Sequence, residues 1–390
     1  MSRVWPVWLV NVGITVLCVR PAGQVTEFSS QLEVDTWKSP RSGWLYVVDP
    51  EFKNDRVESR IWLFDPNRGR IMGTIRAGSG PDIAISQSGD RLYIASTMLG
   101  CGRGNCDELT VIDTGGGSVL SIAEIPGRVQ YKVYPWSSTM TVSADGRSVY
   151  VLKSRFTPSG DDAPYGLAVF DTALGRFLSE EIDLGQCGYG SFVSAPSLSQ
   201  FVFHCPASNE LRVYRFLTPS KVVLETAVAI PWGRRLHARH IYSDVPAREF
   251  ITSSNRNEIT AVSGDGTIYK IDLTAHTVAP TAVSGNPNVT VSPLDWPASA
   301  DRKRLYVGVG PYDGEGMSDE IRVFDSRTWQ QVGSIHTSTR FWNAVASRDG
   351  SIIYALTADH GSILAIDNAR ARELRAMPLG RAPSLALVAP

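Results

Sequence analysis

An all-β chain, a seven-bladed β-propeller of four-stranded antiparallel blades with the ring closed by N- and C-terminal strands, is the fold class this sequence predicts. Three observations predict it. A short alternating strand that ends in aspartate, followed by a turn and a second strand, recurs along the chain, with its markers Asp65, Asp113 and Asp171, and again Asp272, Asp325 and Asp367, spaced by 42 to 58 residues. A serine-led turn and strand precedes most copies, and that period suits one four-stranded blade. No segment of about twelve or more residues between the units holds a helical period, which disfavours a helix-wrapped parallel sheet.

The chain begins MSRVWPVWLVNVGITVLCVRPAGQ: one arginine, an apolar stretch from Trp5 to Val19, and a polar exit. That pattern predicts a secretory signal peptide over residues 1–24, because the apolar stretch falls short of the roughly 20 residues a membrane span needs. Lipid attachment at Cys18 is disfavoured because Leu17, not a small residue, precedes it. Residues 25–40, VTEFSSQLEVDTWKSP, read as an N-terminal arm outside the ring, and residues 41–390 as the propeller.

The aspartate-bearing copies are IWLFDPNRGRIMGTI from Ile61, LTVIDTGGGSVLSIAEI from Leu109, LAVFDTALGRFLSEEI from Leu167, IYKIDLTAHTVAPTAV from Ile268, IRVFDSRTWQQVGSI from Ile321 and ILAIDNARARELRAMPL from Ile363. A degenerate copy from Leu211, LRVYRFLTPSKVVLETAVAI, brings the count to seven. The companion turns are SQSGDRLYIAS from Ser86, SADGRSVYVLK from Ser143, SADRKRLYVGV from Ser299 and SRDGSIIYALT from Ser347. Gly-Asp and Asp-Gly between β-branched and aromatic runs are hairpin chemistry. Each marker aspartate at a strand end reads as a turn-former that accepts backbone hydrogen bonds, not as a catalytic acid. The last segment, APSLALVAP from Ala382, is a strand with no turn after it, so it is expected to share a blade with WLYVVD from Trp44.

The balance of 38 basic against 39 acidic residues sets up no long-range field of one sign, which argues against nucleic acid or an anionic membrane as partner. Apart from Cys18 the cysteines are Cys101, Cys106, Cys187 and Cys205, an even number suited to an oxidising compartment. Sequence alone does not fix their pairing; proximity favours Cys101 with Cys106 and Cys187 with Cys205. In the loop-entropy picture such links stabilise by roughly 2 and roughly 3 kcal/mol. Of the histidines only His237 and His240 are close, at a spacing that does not aim two rings one way from a strand, so a surface loop is the expectation and no metal site is assigned. No nucleophile elbow, HExxH, phosphate loop or dinucleotide fingerprint occurs, and no catalytic residue is assigned to this chain.

Three stretches carry a resemblance. YKVYPWSSTMTVSADGRSVYVL from Tyr131, CGYGSFVSAPSLSQFVFHC from Cys187 and ASTMLGCGRGNCDELTVID from Ala95 are similar to the heavy subunit of methylamine dehydrogenase and aromatic amine dehydrogenase, and the repeats share its register from about residue 43 onward. The resemblance implies a periplasmic seven-bladed propeller that binds no cofactor itself. It implies a cysteine-rich light subunit carrying tryptophan tryptophylquinone, two heavy and two light chains, and a copper protein as electron acceptor. There the light chain performs the oxidation of primary amines, and the heavy chain closes the substrate channel. The position matching the family's aromatic at the channel mouth is Leu99, while the family's basic loop is reduced to Arg103 between Cys101 and Cys106. Two other classes remain open: a secreted propeller that only binds, and a propeller lactonase, which would need acidic and asparagine metal ligands at the centre of the ring.

Overall fold

The computed structural model describes residues 32–53, 56–101, 104–129, 139–154, 165–185, 187, 191–192, 200–205, 208, 210–229, 250–252, 258–262, 267–283, 289–292, 304–311, 317–347, 349–357, 361–379, 383 and 385–389. Its unit is set by the marker aspartates. Asp65 Oδ1 accepts from the backbone amides of Asn67 (3.0 Å) and Arg68 (3.3 Å), Asp171 Oδ1 from Ala173 and Leu174 (both 2.9 Å), and Asp272 Oδ1 from Thr274 (2.8 Å) and Ala275 (2.9 Å). Asp113, Asp325 and Asp367 make the same kind of bond to Gly116, to Arg327 and Thr328, and to Arg370. The aspartates therefore specify hairpins, as expected. In the degenerate copy Arg215 stands in the aspartate's place; the ladder runs on without a cap and turns beyond Thr218↔Lys221.

The serine turns are built alike. Ser86, Ser143 and Ser347 each donate a hydroxyl to the turn aspartate, Asp90 (2.7 Å), Asp145 (2.6 Å) and Asp349 (2.6 Å), and accept at 3.0 Å from the amide that opens the next strand. The residue after three markers ties the two turns together. Thr114 Oγ1 donates to Gly89 O (2.6 Å), Thr172 Oγ1 to Gly146 O (2.9 Å), and Asn368 Nδ2 to Gly350 O (2.8 Å).

These hairpins assemble into antiparallel sheets, six among the described residues. The first orders Glu33–Val34, Arg70–Ala77, Arg56–Asp65, Leu45–Lys53 and Leu385–Val388, so the C-terminal strand does pair with the first long strand, Leu45 opposite Val388. The second is Ser79–Ile85, Arg91–Cys101, Gly104–Asp113 and Val119–Glu124. The third centres on Met140–Val142, Ser148–Ser154 and Tyr165–Asp171, with Arg128–Val129, Arg176–Phe177 and Ile182–Gly185 at its edges. The fourth is Ser191–Phe192, Gln200–Cys205, Glu210–Thr218 and Lys221–Ala229, and the fifth Phe250–Thr252, Glu258–Val262, Thr267–Asp272 and Thr277–Val283. The sixth has seven strands because one, Gln331–Ala346, runs from the edge of Val289–Ser292, Arg304–Pro311 and Ser318–Asp325 into the start of Ile352–Thr357, Ser362–Asp367 and Arg372–Pro378. No helix among the described residues is long and apolar enough to cross a membrane.

The core lies between sheets. A tyrosine recurs at one register of the second strand, Tyr46, Tyr93, Tyr150, Tyr306 and Tyr354, and all are buried. Burial pushes the phenols of Tyr46, Tyr93, Tyr150 and Tyr354 upward, Tyr150 to about 12. Tyr46 clusters with Leu92 and Ile94 of the second sheet, Tyr93 with Val149 and Phe170 of the third, and Tyr150 with Phe201 and Phe203 of the fourth. Tyr354, in the last strands, clusters with Leu45, Trp62 and Phe64 of the first sheet.

The predicted arm ends as an edge strand. Glu33 and Val34 pair with Arg76 and Ile75, and Trp37 then reaches the second sheet, donating Nε1 to Thr114 O at 2.8 Å and stacking on Tyr46. Two glycines make room for the indole: a Cβ on Gly73 would lie 2.8 Å from Trp37 Cε3, and one on Gly117, at φ +71°, would collide with the same ring.

Two outcomes test this account. Trp37→Ala should cost on the order of 3 kcal/mol in urea unfolding, since it removes the ring that joins two sheets. Acid should weaken the turns. The Ser347 hydroxyl, then the Ser351 amide and hydroxyl, hold Asp349 down at about 2 from 3.8, and backbone amides lower Asp272 and Asp325. Their stabilisation is complete above the unfolded value of 3.8 and is lost as pH falls toward about 2, so the urea midpoint should drop through that window and Asp349→Asn should flatten the drop.

Candidate functional site

Strands that bury both faces leave room for few polar side chains, and toward the end opposite the aspartate turns several of these gather where the second sheet meets the third. Asp82 is buried on Ser79–Ile85, the first strand of the second sheet; its Oδ2 accepts from the backbone amide (2.6 Å) and hydroxyl (2.8 Å) of Thr139, which leads into Met140–Val142 of the third. Asp82 Oδ1 also accepts from Ile83 N at 2.9 Å. In the neighbouring hairpin, buried Thr97 donates its hydroxyl to buried Asp107 at 2.5 Å.

The link between the sheets is laced on both sides. Ile125 N donates to Asp107 O at 2.8 Å, and Arg128 and Val129 pair with Ser154 and Lys153. Lys153 is buried, its ammonium donates to Glu181, and it lies beneath Gly127, where a Cβ would come within 2.8 Å of Lys153 Cε. Gly127 has φ +91°, so that position favours glycine on conformational grounds as well.

A second polar group lies where the last strands meet the first sheet. Trp62 Nε1 donates to fully buried Asp49 (3.0 Å), the Arg60 guanidinium lies 5.7 Å from the Trp62 ring centroid, and Thr357 and Ser362 share a hydroxyl contact of 2.9 Å. Asp49, Lys153 and Thr357 hold one position of the repeat, three residues beyond the recurring tyrosine. Such groups hold loops in place. Among the described residues no three His, Cys, Asp or Glu are grouped to hold a metal ion.

The sequence-predicted residues divide between described and undescribed. Cys187 and Cys205 form a disulfide, Cα atoms 4.3 Å apart, as proximity suggested; it joins the segment after Ile182–Gly185 to the second strand of the fourth sheet, and Arg212 adds a bond to Leu184 O at 3.0 Å. Leu99 and Cys101 lie on Arg91–Cys101, and Cys106 on Gly104–Asp113, with Met98 opposite Cys106 and Cys101 opposite Gly104. The side chains of Leu99, Cys101 and Cys106 lie outside the described residues, as do Tyr134–Trp136 and His237–His240. Leu99 follows Thr97 by two positions, which puts its backbone next to the junction.

Sequence reasoning missed Asp82, Thr139, Thr97, Asp107 and the Lys153–Glu181 pair. A signal existed for some. Asp82, Thr139 and Asn343 each stand four residues before a turn serine, Ser86, Ser143 or Ser347, and all three are buried.

A family model described as methylamine dehydrogenase heavy chain matches residues 42–280, more than half of the chain. No curated protein matches it. Among solved structures, a periplasmic gluconolactonase of Pseudomonas aeruginosa is 13% identical, with a TM-score of 0.63 over 89% of this chain and 99% of that one. A putative 6-phosphogluconolactonase of Bacteroides uniformis is 13% identical (TM-score 0.59; 89% and 99%), and a functionally unknown protein of Desulfotomaculum acetoxidans is 12% identical (TM-score 0.58; 89% and 99%). At such identities these likenesses speak for the fold alone.

Removing one partner of the buried pair should cost more than replacing its cation with an apolar side chain. Glu181→Gln leaves the Lys153 ammonium uncompensated and is expected to cost about 2 to 3 kcal/mol, whereas Lys153→Met should cost less, both read from denaturant midpoints.

Proposed function

Because the chain belongs to the methylamine dehydrogenase heavy-chain family, we propose that it is the non-catalytic heavy subunit of a periplasmic amine dehydrogenase. The family match over residues 42–280 carries this reading. The light chain would hold tryptophan tryptophylquinone, condense it with a primary amine, release aldehyde and ammonia, and pass electrons to a copper protein. Two heavy and two light chains would form the assembly.

In this reading the heavy chain is a ring of seven blades, the sixth and seventh sharing the strand Gln331–Ala346. Support comes from the pairing of Leu45 with Val388 and from the packing of Tyr354 on the first sheet. Residues 1–24 would be removed on export and 41–390 would form the ring. The junction of the second and third sheets, held by Asp82, Thr139, Asp107 and Lys153, keeps the backbone of Leu99 in register. Leu99 would line the channel to the quinone, with Cys101 and Cys106 closing the hairpin as a disulfide.

Purification from the native host tests the proposal. The expected result is a co-purifying small, cysteine-rich chain whose quinone absorbance is bleached by primary amines. A colourless protein without such a companion would sink the subunit reading and leave a secreted binding propeller.

A further inference from the structure

The strands that follow the marker position of the repeat carry one extra residue at the same step in several sheets: Met72, Leu120, Glu225, Val332 and Leu374. A bulge of this kind twists an edge and discourages indiscriminate strand pairing. Four of these residues are apolar, and their surroundings differ. Leu120, Val332 and Leu374 are 53%, 57% and 46% exposed, whereas Met72 is 8% exposed and shares an apolar cluster with Val34 of the added N-terminal strand and with Leu32 and Trp37 that flank it. The first sheet thus shows what covers an apolar bulge in this fold: a short extended segment laid on the outer edge.

The second sheet has the edge best suited to a like addition. On Val119–Glu124, Val119 and Ile122 are exposed beside Leu120, and among the described residues no strand pairs outside it. Its charge is the reverse of the covered edge. Arg76 of the first sheet meets Glu33 (3.1 Å) and Asp35 (3.5 Å) of the added strand; the residue at the same distance beyond the bulge in the second sheet is Glu124. Glu124 also stands directly opposite Glu108 in the ladder, an unfavourable juxtaposition. Burial, and then the charge of Glu124, raise the Glu108 carboxyl.

We propose that the outer edge of Val119–Glu124 docks an extended partner segment that alternates apolar residues with lysine or arginine, adding it to the second sheet as a further strand. Its apolar side chains cover Leu120, as Leu32 and Val34 cover Met72, and its cations fall on the other face, which carries Ile122 and Glu124, where they meet Glu124 and relieve the opposition to Glu108. The chain's own leading segment is a poor occupant, since residues 1–31 carry only Arg3 and Arg20 as basic groups and none after Arg20. The proposal does not depend on the subunit reading.

The test uses the purified full-length chain and a capped, fluorescein-labelled hexapeptide of alternating valine and lysine, with a valine–glutamate hexapeptide as control, read by anisotropy. The expected result is saturable binding of the lysine peptide, weakened about tenfold or more by Glu124→Lys and by Leu120→Asp and untouched by Val332→Asp. Glu124→Lys should also reverse the preference toward the glutamate peptide, an outcome that loss of folding would not produce. Absence of saturable binding, equal binding by the Glu124→Lys chain, or occupation of this edge by a second copy, seen as self-association in sedimentation abolished by Leu120→Asp, would each overturn the proposal.

Discussion

Among the described residues the first four sheets have no core of their own, and only the seven-stranded sixth sheet packs partly on itself. Each four-stranded unit is apolar on both faces and can bury them only against the units before and after it, so every sheet depends on its neighbours, and the last strands depend on the first sheet. The recurring tyrosine shows the constraint most directly. At Tyr46, Tyr93, Tyr150 and Tyr354 its ring fills the space between neighbouring sheets, where a fully buried large side chain contributes roughly 1.5 to 3 kcal/mol. A fold stabilised this way leaves little freedom for polar groups except at strand ends.

That restriction divides the molecule into two kinds of end. At one end aspartates and serines repeat, and nearly every hydrogen bond they make is local, to amides two to five residues away. At the other end the buried polar groups differ from sheet to sheet and several reach across the sequence, as Asp82 does to Thr139 and Lys153 to Glu181. A buried ion pair seldom adds much net stability, because desolvation offsets the attraction. It does resist rearrangement, since separating the partners strands a charge. The junction is therefore suited to holding a rim at fixed geometry for chemistry performed by another polypeptide, the role proposed for a heavy subunit.

The outer edges present the opposite problem. A sheet packed face to face still has a free edge, and bulges on several outer strands make that edge a poor template for arbitrary partners. The first sheet shows that a matching segment is nevertheless accepted, with Trp37 fitting against Gly73 and Gly117, where no larger residue could stand.

The sequence by itself determined the all-β class, the repeating unit, the structural role of the marker aspartates and the pairing of the last strand with the first long one, and proximity favoured the Cys187–Cys205 link that the structure shows. These follow from local chemistry: alternation, turn residues and short separations are written in neighbouring positions, and each copy repeats the message of the last. The resemblance to amine dehydrogenase heavy chains was also legible from short stretches. Tertiary structure decided the rest. Nothing near Asp82 indicates that its partner is Thr139, nothing near Lys153 indicates that Glu181 will neutralise it, and nothing in VTEFSSQLEVDTW shows that Trp37 will join two sheets. Those contacts join residues far apart in the chain, and they exist only because packing brings the sheets together and excludes the water that would otherwise satisfy each group alone.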